Sequence, residues 1–402
     1  MMNVAILLLM GCWCFDLVAG GAFRPGASWI EHALWPTDKS IFVLYSYDLP
    51  EEHRKSIEKA LDYISSRTCL SFTTDFKMYT GRENSIEFSY KMLAGCFTRG
   101  IGRRSTSNKV TLGLPCGSFT IVSHEIGHIL GLHHTHTRSD RDKHVKIAFY
   151  YLPYNANWMV HNTNNYGVEY EHGSMMHYSP AACQKTEACI VSKDPLKQFT
   201  MGSDIGPAHS DILLLNKLYK CFERCAGHSS VATVEQSCKY GGFVNPNDCE
   251  SCVCPIGFEG KFCEKRAERS YRGSLCGATY EASDSWRTLS SGNLTPTREE
   301  MNGHKFHLCH WHFEAPRGYK VEIVLKKVGE CHSTGNLSCR HGGTEIKVGD
   351  FHLGGAKFCC QDQLPKNHVF RSSGSLAIVN LDVNIGTQYF ELQYRRTLQR
   401  PL

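Results

Sequence analysis

The chain has 402 residues, with 44 Lys and Arg set against 39 Asp and Glu for a formal net charge of +5. So small a surplus, with no long Lys/Arg run, does not imply nucleic acid as a partner. Twenty cysteines are far more than a reduced cytosolic protein of this length would carry, which excludes that compartment as the natural setting.

At the start of the chain an apolar run from Val4 to Met10, continuing to Phe15, ends in the small residues Val18, Ala19 and Gly20. This reads as a secretory signal over residues 1–20, and about a dozen residues are too few to cross roughly 30 Å of hydrocarbon. No other stretch could span a membrane, so a secreted, extracellular protein is expected. Cys12 and Cys14 fall in the signal, and the other eighteen cysteines divide into three consecutive sixes. These are Cys69, Cys96, Cys116, Cys183, Cys189 and Cys221, then Cys225 to Cys263, then Cys276 to Cys360. The partition predicts three domains, each closed by three disulfides.

The first segment, residues 21–224, mixes helices and strands without regular βα alternation, so an α+β fold is expected. Ser40 to Tyr47 reads as a strand. From Glu51 to Thr68 the residues Ile57, Ala60, Leu61 and Ile64 fall at i, i+3, i+4 and i+7, one face of a helix. Ser85 to Tyr90 and Lys109 to Leu112 read as further strands. A helix is expected from about Thr120, and a closing helix from Asp211 carries the chain to Cys221.

His124 to His134, HEIGHILGLHH, fits the pattern HExxHxxGxxH. On a helix His124 and His128 stand one turn apart on one face, so two nitrogens can reach one ion about 2 Å away. Gly131 can take the positive φ that ends a helix and turns the chain, bringing His134 to the ion from another side. Three protein ligands leave a position for water, whose pKa falls to about 7 on zinc. Glu125, next to the metal but not on it, would take the water's proton and pass it to the leaving amine. His133 and His136 flank His134 and could each reach a metal; spacing favours His134, with the neighbours solvated or hydrogen-bonded behind the ligands.

The second segment, residues 225–264, is short and loop-rich, and some forty residues cannot bury enough apolar surface without disulfides. The third, residues 276–396, alternates with period two: Val321, Ile323 and Leu325, then Phe390, Leu392 and Tyr394, are expected to face the core of an all-β sandwich. Its histidines, such as His304, His307, His310 and His312, are expected to face solvent. Asn293 and Asn336 open glycosylation sequons, although Pro296 follows the first.

At the zinc motif and its sequel, Arg138, Asp140, Arg141 and Asp142 followed by Ser174-Met-Met-His-Tyr178, the chain resembles the astacin family of metzincin peptidases. The resemblance implies a Met-turn in which Met176 forms an apolar floor beneath the metal and Tyr178 places a hydroxyl near it, able to stabilise an oxyanion. It also implies the pairs Cys69 with Cys221 and Cys96 with Cys116, leaving Cys183 and Cys189 as a local bridge. The second segment looks like an EGF-like module, with Cys252, Cys254 and Cys263 as its last cysteines. The third looks like a CUB domain in which Cys276 and Cys309 form the first bridge; Cys331, Cys339, Cys359 and Cys360 allow three pairings. The order of catalytic, EGF-like and CUB parts is similar to that of secreted nematode astacins.

The resemblance implies a secreted zinc endopeptidase that binds one Zn2+ and cleaves extracellular proteins or peptides, with the two modules steering substrate or partner contact. The alternative is a binding protein on a vestigial peptidase scaffold, against which the complete set His124, Glu125, His128, His134 and Tyr178 argues. Two departures stand out. Family members usually carry Glu directly after the third His to bind the mature N-terminus, where this chain has Thr135, and between Gly20 and the first strand no Asp precedes Asp38 to act as a zinc-blocking propeptide residue. The expectation is an enzyme made without a zymogen step.

Overall fold

The computed structural model describes residues 34–75, 84–104, 107–148, 157–182, 187–228, 231–302, 305–329 and 337–399. The expected signal at 1–20 lies outside the described residues, as do Cys183, His304, Cys331 and Asn336.

In the first segment five short strands form one sheet: β1 (Ile41–Tyr45), β2 (Phe72–Thr73), β3 (Ser85–Tyr90), β4 (Phe97–Thr98) and β5 (Lys109–Leu112). Their order is β2, β1, β3, β5, β4, all parallel except β4, which lies antiparallel at the edge. Three helices share a core with it: α1 (Glu51–Ser65), α2 (Phe119–Ile129) and α3 (His209–Leu218). The expected stripe Ile57, Ala60, Leu61 and Ile64 is buried on α1, and Glu51 and Glu52 stand in its first turn, where negative charge offsets the helix dipole. Helix α1 stops three residues before the expected Thr68. The Thr68 hydroxyl donates to the Ile64 carbonyl at 2.8 Å, satisfying one of the last turn's orphan acceptors. Helix α3 begins two residues before the expected Asp211, because that carboxylate reaches back to the Ala208 N–H at 2.9 Å and so belongs to the first turn.

Among the described residues, the cysteine pairs fall within the three sixes. Cys69 joins Cys221 and Cys96 joins Cys116, as the resemblance implied, and Cys189 is also disulfide-bonded. The second segment pairs Cys225 with Cys249, Cys238 with Cys252 and Cys254 with Cys263 around a hairpin of Phe243–Asn245 and Asp248–Val253. Its small core, with Val244 and Phe258, is completed by Phe351 and Ile378 from the third segment.

The third segment is a sandwich of a five-stranded and a four-stranded sheet around Trp311, Phe313, Val321, Ile323, Phe390 and Leu392. Cys276 pairs with Cys309 and Cys339 with Cys359, which selects one of the three open pairings; Cys360 is disulfide-bonded too. The expectation that its histidines face solvent is overturned, since His307, His310 and His312 are all buried. On the strand His307–Glu314 side chains alternate, with Trp311 and Phe313 turned into the sandwich and His310 and His312 turned away. That outer face is covered by the second segment: His312 Nε2 donates to the Gly257 carbonyl at 3.0 Å, and His310 Nδ1 bonds Asn380 at 2.8 Å. The same sandwich touches the first segment, where Lys357 reaches Ser203 at 2.9 Å and Arg340 pairs with Asp204 at 2.8 Å.

Candidate metal centre

Helix α2 starts on Ser118, whose hydroxyl accepts the Ile121 N–H at 3.3 Å, and it carries His124 and His128 one turn apart. Gly131 then takes φ +98°, a conformation that side chains with a Cβ resist, and the chain reverses. His134 returns to the same point. The Nε2 atoms of His128 and His134 stand 3.1 Å apart, and those of His134 and His124 stand 3.3 Å apart.

This spacing fits a tetrahedral zinc. Ligands at a Zn–N distance of about 2.0–2.1 Å place neighbouring nitrogens about 3.3 Å apart. Tautomers fit as well, since His124 Nδ1 donates to the Met175 carbonyl at 2.7 Å and His128 Nδ1 to the Leu132 carbonyl at 2.8 Å. Each Nε2 is thereby left as a lone-pair donor facing the centre. Burial lowers the pKa of His128 to about 4 and, with the neighbouring histidines adding repulsion, holds that of His134 well below the usual value. Neutral imidazoles are the form a metal needs. Among the described residues this is the one group of His, Cys, Asp or Glu close enough to hold a metal ion.

The turn from Ser174 to Tyr178 packs against helix α2. A Cβ on Gly127 would meet the Met176 sulfur at 2.7 Å, so the glycine inside HEIGH is what lets this turn approach the helix. Thr135 N–H donates to the Met176 carbonyl at 2.9 Å, locking the segment after the third histidine to the turn. The Tyr178 ring lies 4.4 Å from that of His134 and stacks on His136 at 4.3 Å, between centroids. His136 is fully buried and donates from Nε2 to the Asn157 carbonyl at 2.8 Å, so it supports the tyrosine from behind. Glu125 is 1% exposed on α2, directly beside His124 in sequence. Asn293 is exposed.

The charged residues after the motif brace the loop. Arg138, 7% exposed, grips Asp140 through two bonds of 2.9 and 2.8 Å and donates to the carbonyls of Val168 and Glu169. Arg141 donates to the carbonyls of His136 and Trp158, while Asp142 remains largely exposed. Sequence reasoning gave Ser174 and Asp211 no role beyond heading the turn motif and the closing helix segment, and did not single out Glu171. The signal was there for Ser174 in its place at the head of the turn motif; Asp211 and Glu171 gained their contacts only on folding.

Residues 29–220 match the model of the astacin peptidase family. Residues 29–220 belong to the astacin family of zinc metalloproteinases. Zinc, held by the histidine triad, is its cofactor. The chain is 29% identical over 381 residues to zinc metalloproteinase nas-27 of Caenorhabditis elegans, covering 87% of this chain and 83% of that one. Against nas-31 of the same nematode it is 30% identical over 373 residues and spans 55% of that protein's length. Among solved structures it is similar to high choriolytic enzyme 1 of medaka, a hatching enzyme zinc-protease, at 25% identity and a TM-score of 0.42, covering 48% of this chain and 98% of that one. The CUB2 domain of MASP-1 is matched at 14% identity and a TM-score of 0.22, over 29% of this chain and 96% of that one. The astacin part is followed by a disulfide-rich small module and a two-sheet β-sandwich. No helix among the described residues is long and apolar enough to cross a membrane.

Proposed function

We propose that this astacin is a secreted endopeptidase that hydrolyses peptide bonds of extracellular proteins, with His124, His128 and His134 as zinc ligands, Glu125 as general base and Tyr178 as oxyanion donor. The observation that carries the reading is the convergence of the three histidine Nε2 atoms, with Glu125 next to His124 on α2 and the Tyr178 ring against His134. When bound, zinc supplies Lewis-acid activation of water and of the peptide carbonyl. Glu125 accepts the proton of the attacking water and delivers it to the departing amine nitrogen, a shuttle its burial favours by keeping bulk water away from the carboxylate. The Tyr178 hydroxyl donates to the carbonyl oxygen as it gains charge, and its ring is held in place for that by His134 and His136. The outer side of edge strand β4 supports the placement of an extended peptide, since an unpaired strand edge offers main-chain donors and acceptors.

The disulfides support an oxidising compartment, and the EGF-like and CUB-like modules are surfaces for protein partners. In this reading the domains span 21–224, 225–264 and 276–396. Thr135 bonds Ser174 rather than offering a carboxylate, which supports a site that does not grip an N-terminal ammonium and needs no zymogen step. The test is cleavage of casein or gelatin by the secreted protein, with and without a chelator, alongside Glu125→Ala. Cleavage that is lost in both cases supports the enzyme; equal, chelator-insensitive results remove it. Activity that appears only after an internal cleavage beyond residue 21 would remove the zymogen-free part.

A further inference from the structure

The CUB-like sandwich touches the catalytic domain at a place that bears on the catalytic floor. Glu171, 4% exposed, lies three residues before Ser174 in the chain that leads to Met176 and Tyr178. Its Oε1 accepts the Gly173 N–H at 2.7 Å, within the same loop. Its Oε2 accepts the Gly354 N–H at 2.8 Å, from a different domain and 183 positions away. A buried carboxylate is stable only while its oxygens are hydrogen-bonded, and bonds from backbone N–H to an ionised oxygen are among the stronger ones. Here the two donors belong to two domains, so the carboxylate is fixed only while both are in place.

The contact is tight on both sides. A Cβ on Gly354 would meet Glu171 Oε1 at 2.7 Å and Thr200 Cγ2 at 3.0 Å, and one on Gly173 would meet the same two groups at 3.2 and 3.4 Å. Around it His352 bonds Glu169 at 2.8 Å, Thr200 donates to the Gly355 carbonyl at 2.8 Å, and Lys197 donates to the Gly354 carbonyl. From Gly173 the main chain runs straight into the turn: the Ser174 hydroxyl accepts the Met176 N–H at 3.0 Å, and the Met176 carbonyl holds Thr135.

We propose that the loop His352–Gly354 is a positioning element of the catalytic centre, with Glu171 as the positioning residue that transmits the docking of the CUB-like domain to the turn carrying Met176 and Tyr178. The inference rests on the roles given to those two residues above. It makes the third domain part of the working enzyme as well as a surface for partners.

The test uses the full chain carrying Gly354→Ala, whose methyl displaces the Glu171 carboxylate without touching the catalytic domain's sequence. Coupling of this kind is expected to lower kcat on the order of 3- to 30-fold with KM within about twofold. Amide hydrogen exchange over residues 171–178 is expected to quicken in the same variant, and this readout needs no activity. In a Glu171→Ala background, Gly354→Ala is expected to add nothing, because the displaced group is gone. Unchanged exchange over 171–178 in folded Gly354→Ala protein overturns the proposal, as do additive effects in the double variant. Should Gly354→Ala fail to fold, His352→Ala, at a partly exposed position, carries the test with the same expected quickening and the same overturning result. Wild-type protein without chelator-sensitive proteolysis defeats the function proposed above, while the exchange measurement still decides this one.

Discussion

Ser174 donates its hydroxyl hydrogen to the Asp211 carboxylate at 2.6 Å, and through this bond the Met-turn is tied to helix α3. The same hydroxyl oxygen accepts from Thr135 at 2.9 Å and from the Met176 N–H at 3.0 Å. Asp211 in turn accepts the N–H groups of Met175 and Ala208 at 2.9 Å each. Thr135, where relatives are expected to carry Glu, is therefore a neutral donor feeding a carboxylate on another element.

Ser174→Ala should leave a buried oxygen of Asp211 and the Thr135 hydroxyl without this partner. The expected cost is about 1–3 kcal/mol of stability, from desolvated groups left unsatisfied. Chemical denaturation of wild type and variant checks it, and a difference within about 0.5 kcal/mol would show that water replaces the hydroxyl.

Tyr178→Phe keeps the ring that packs on His134 and His136 but removes the hydroxyl proposed as the oxyanion donor. A loss in kcat on the order of 10²-fold is expected, with little change in KM and in metal content. Steady-state kinetics on a peptide substrate together with metal analysis separates this from a collapsed site, in which all three would move.

Acid should loosen the contacts between the domains. Burial lowers the pKa of His209 and His312 to about 4 and that of His310 to about 3, against which their hydrogen bonds act only partly. Unfolded histidine titrates near 6.5, so between about pH 6.5 and 4 the unfolded chain binds more protons and stability falls as pH falls. Asp382 and Asp211, both raised to about 6 by burial, act in the opposite sense between about pH 4 and 6. Three histidines outweigh two carboxylates, and above about pH 6 the histidines act alone. The thermal midpoint is expected to drop on acidification below about pH 6.5, with proteolysis between the domains rising alongside. A midpoint that is flat or rises down to about pH 4 would show that the carboxylates dominate.

The bridge from Cys69 to Cys221 closes a loop with a sequence separation of 152 and anchors the end of α3 to the region after α1. Replacing both cysteines by serine should lower stability by about 2–5 kcal/mol, largely by freeing the unfolded chain. Replacing Cys254 and Cys263, separated by only 9 positions, should cost the smaller share of the entropic effect. Denaturant midpoints of the two double variants give the ranking.

What the sequence determined by itself is whatever depends on near neighbours. Two histidines at i and i+4 share a helix face by geometry, Gly131 permits the turn that recruits His134, and period-two alternation turns Val321, Ile323 and Leu325 inward whatever surrounds them. The grouping of the cysteines in sixes also depends on near neighbours, and each pair between described residues joins two cysteines of one six. Tertiary structure decided which faces stay wet. His310 and His312 occupy the outward face of their strand, yet they are buried, because the disulfide-rich second segment covers that face and no periodicity encodes a neighbour from another segment. The placing of Glu171 between Gly173 and Gly354, and of Asp211 beneath the Met-turn, was likewise set by which distant donors packing brought within 3 Å of each carboxylate. Such pairings join residues with no fixed spacing along the chain, and only the packed core determines them.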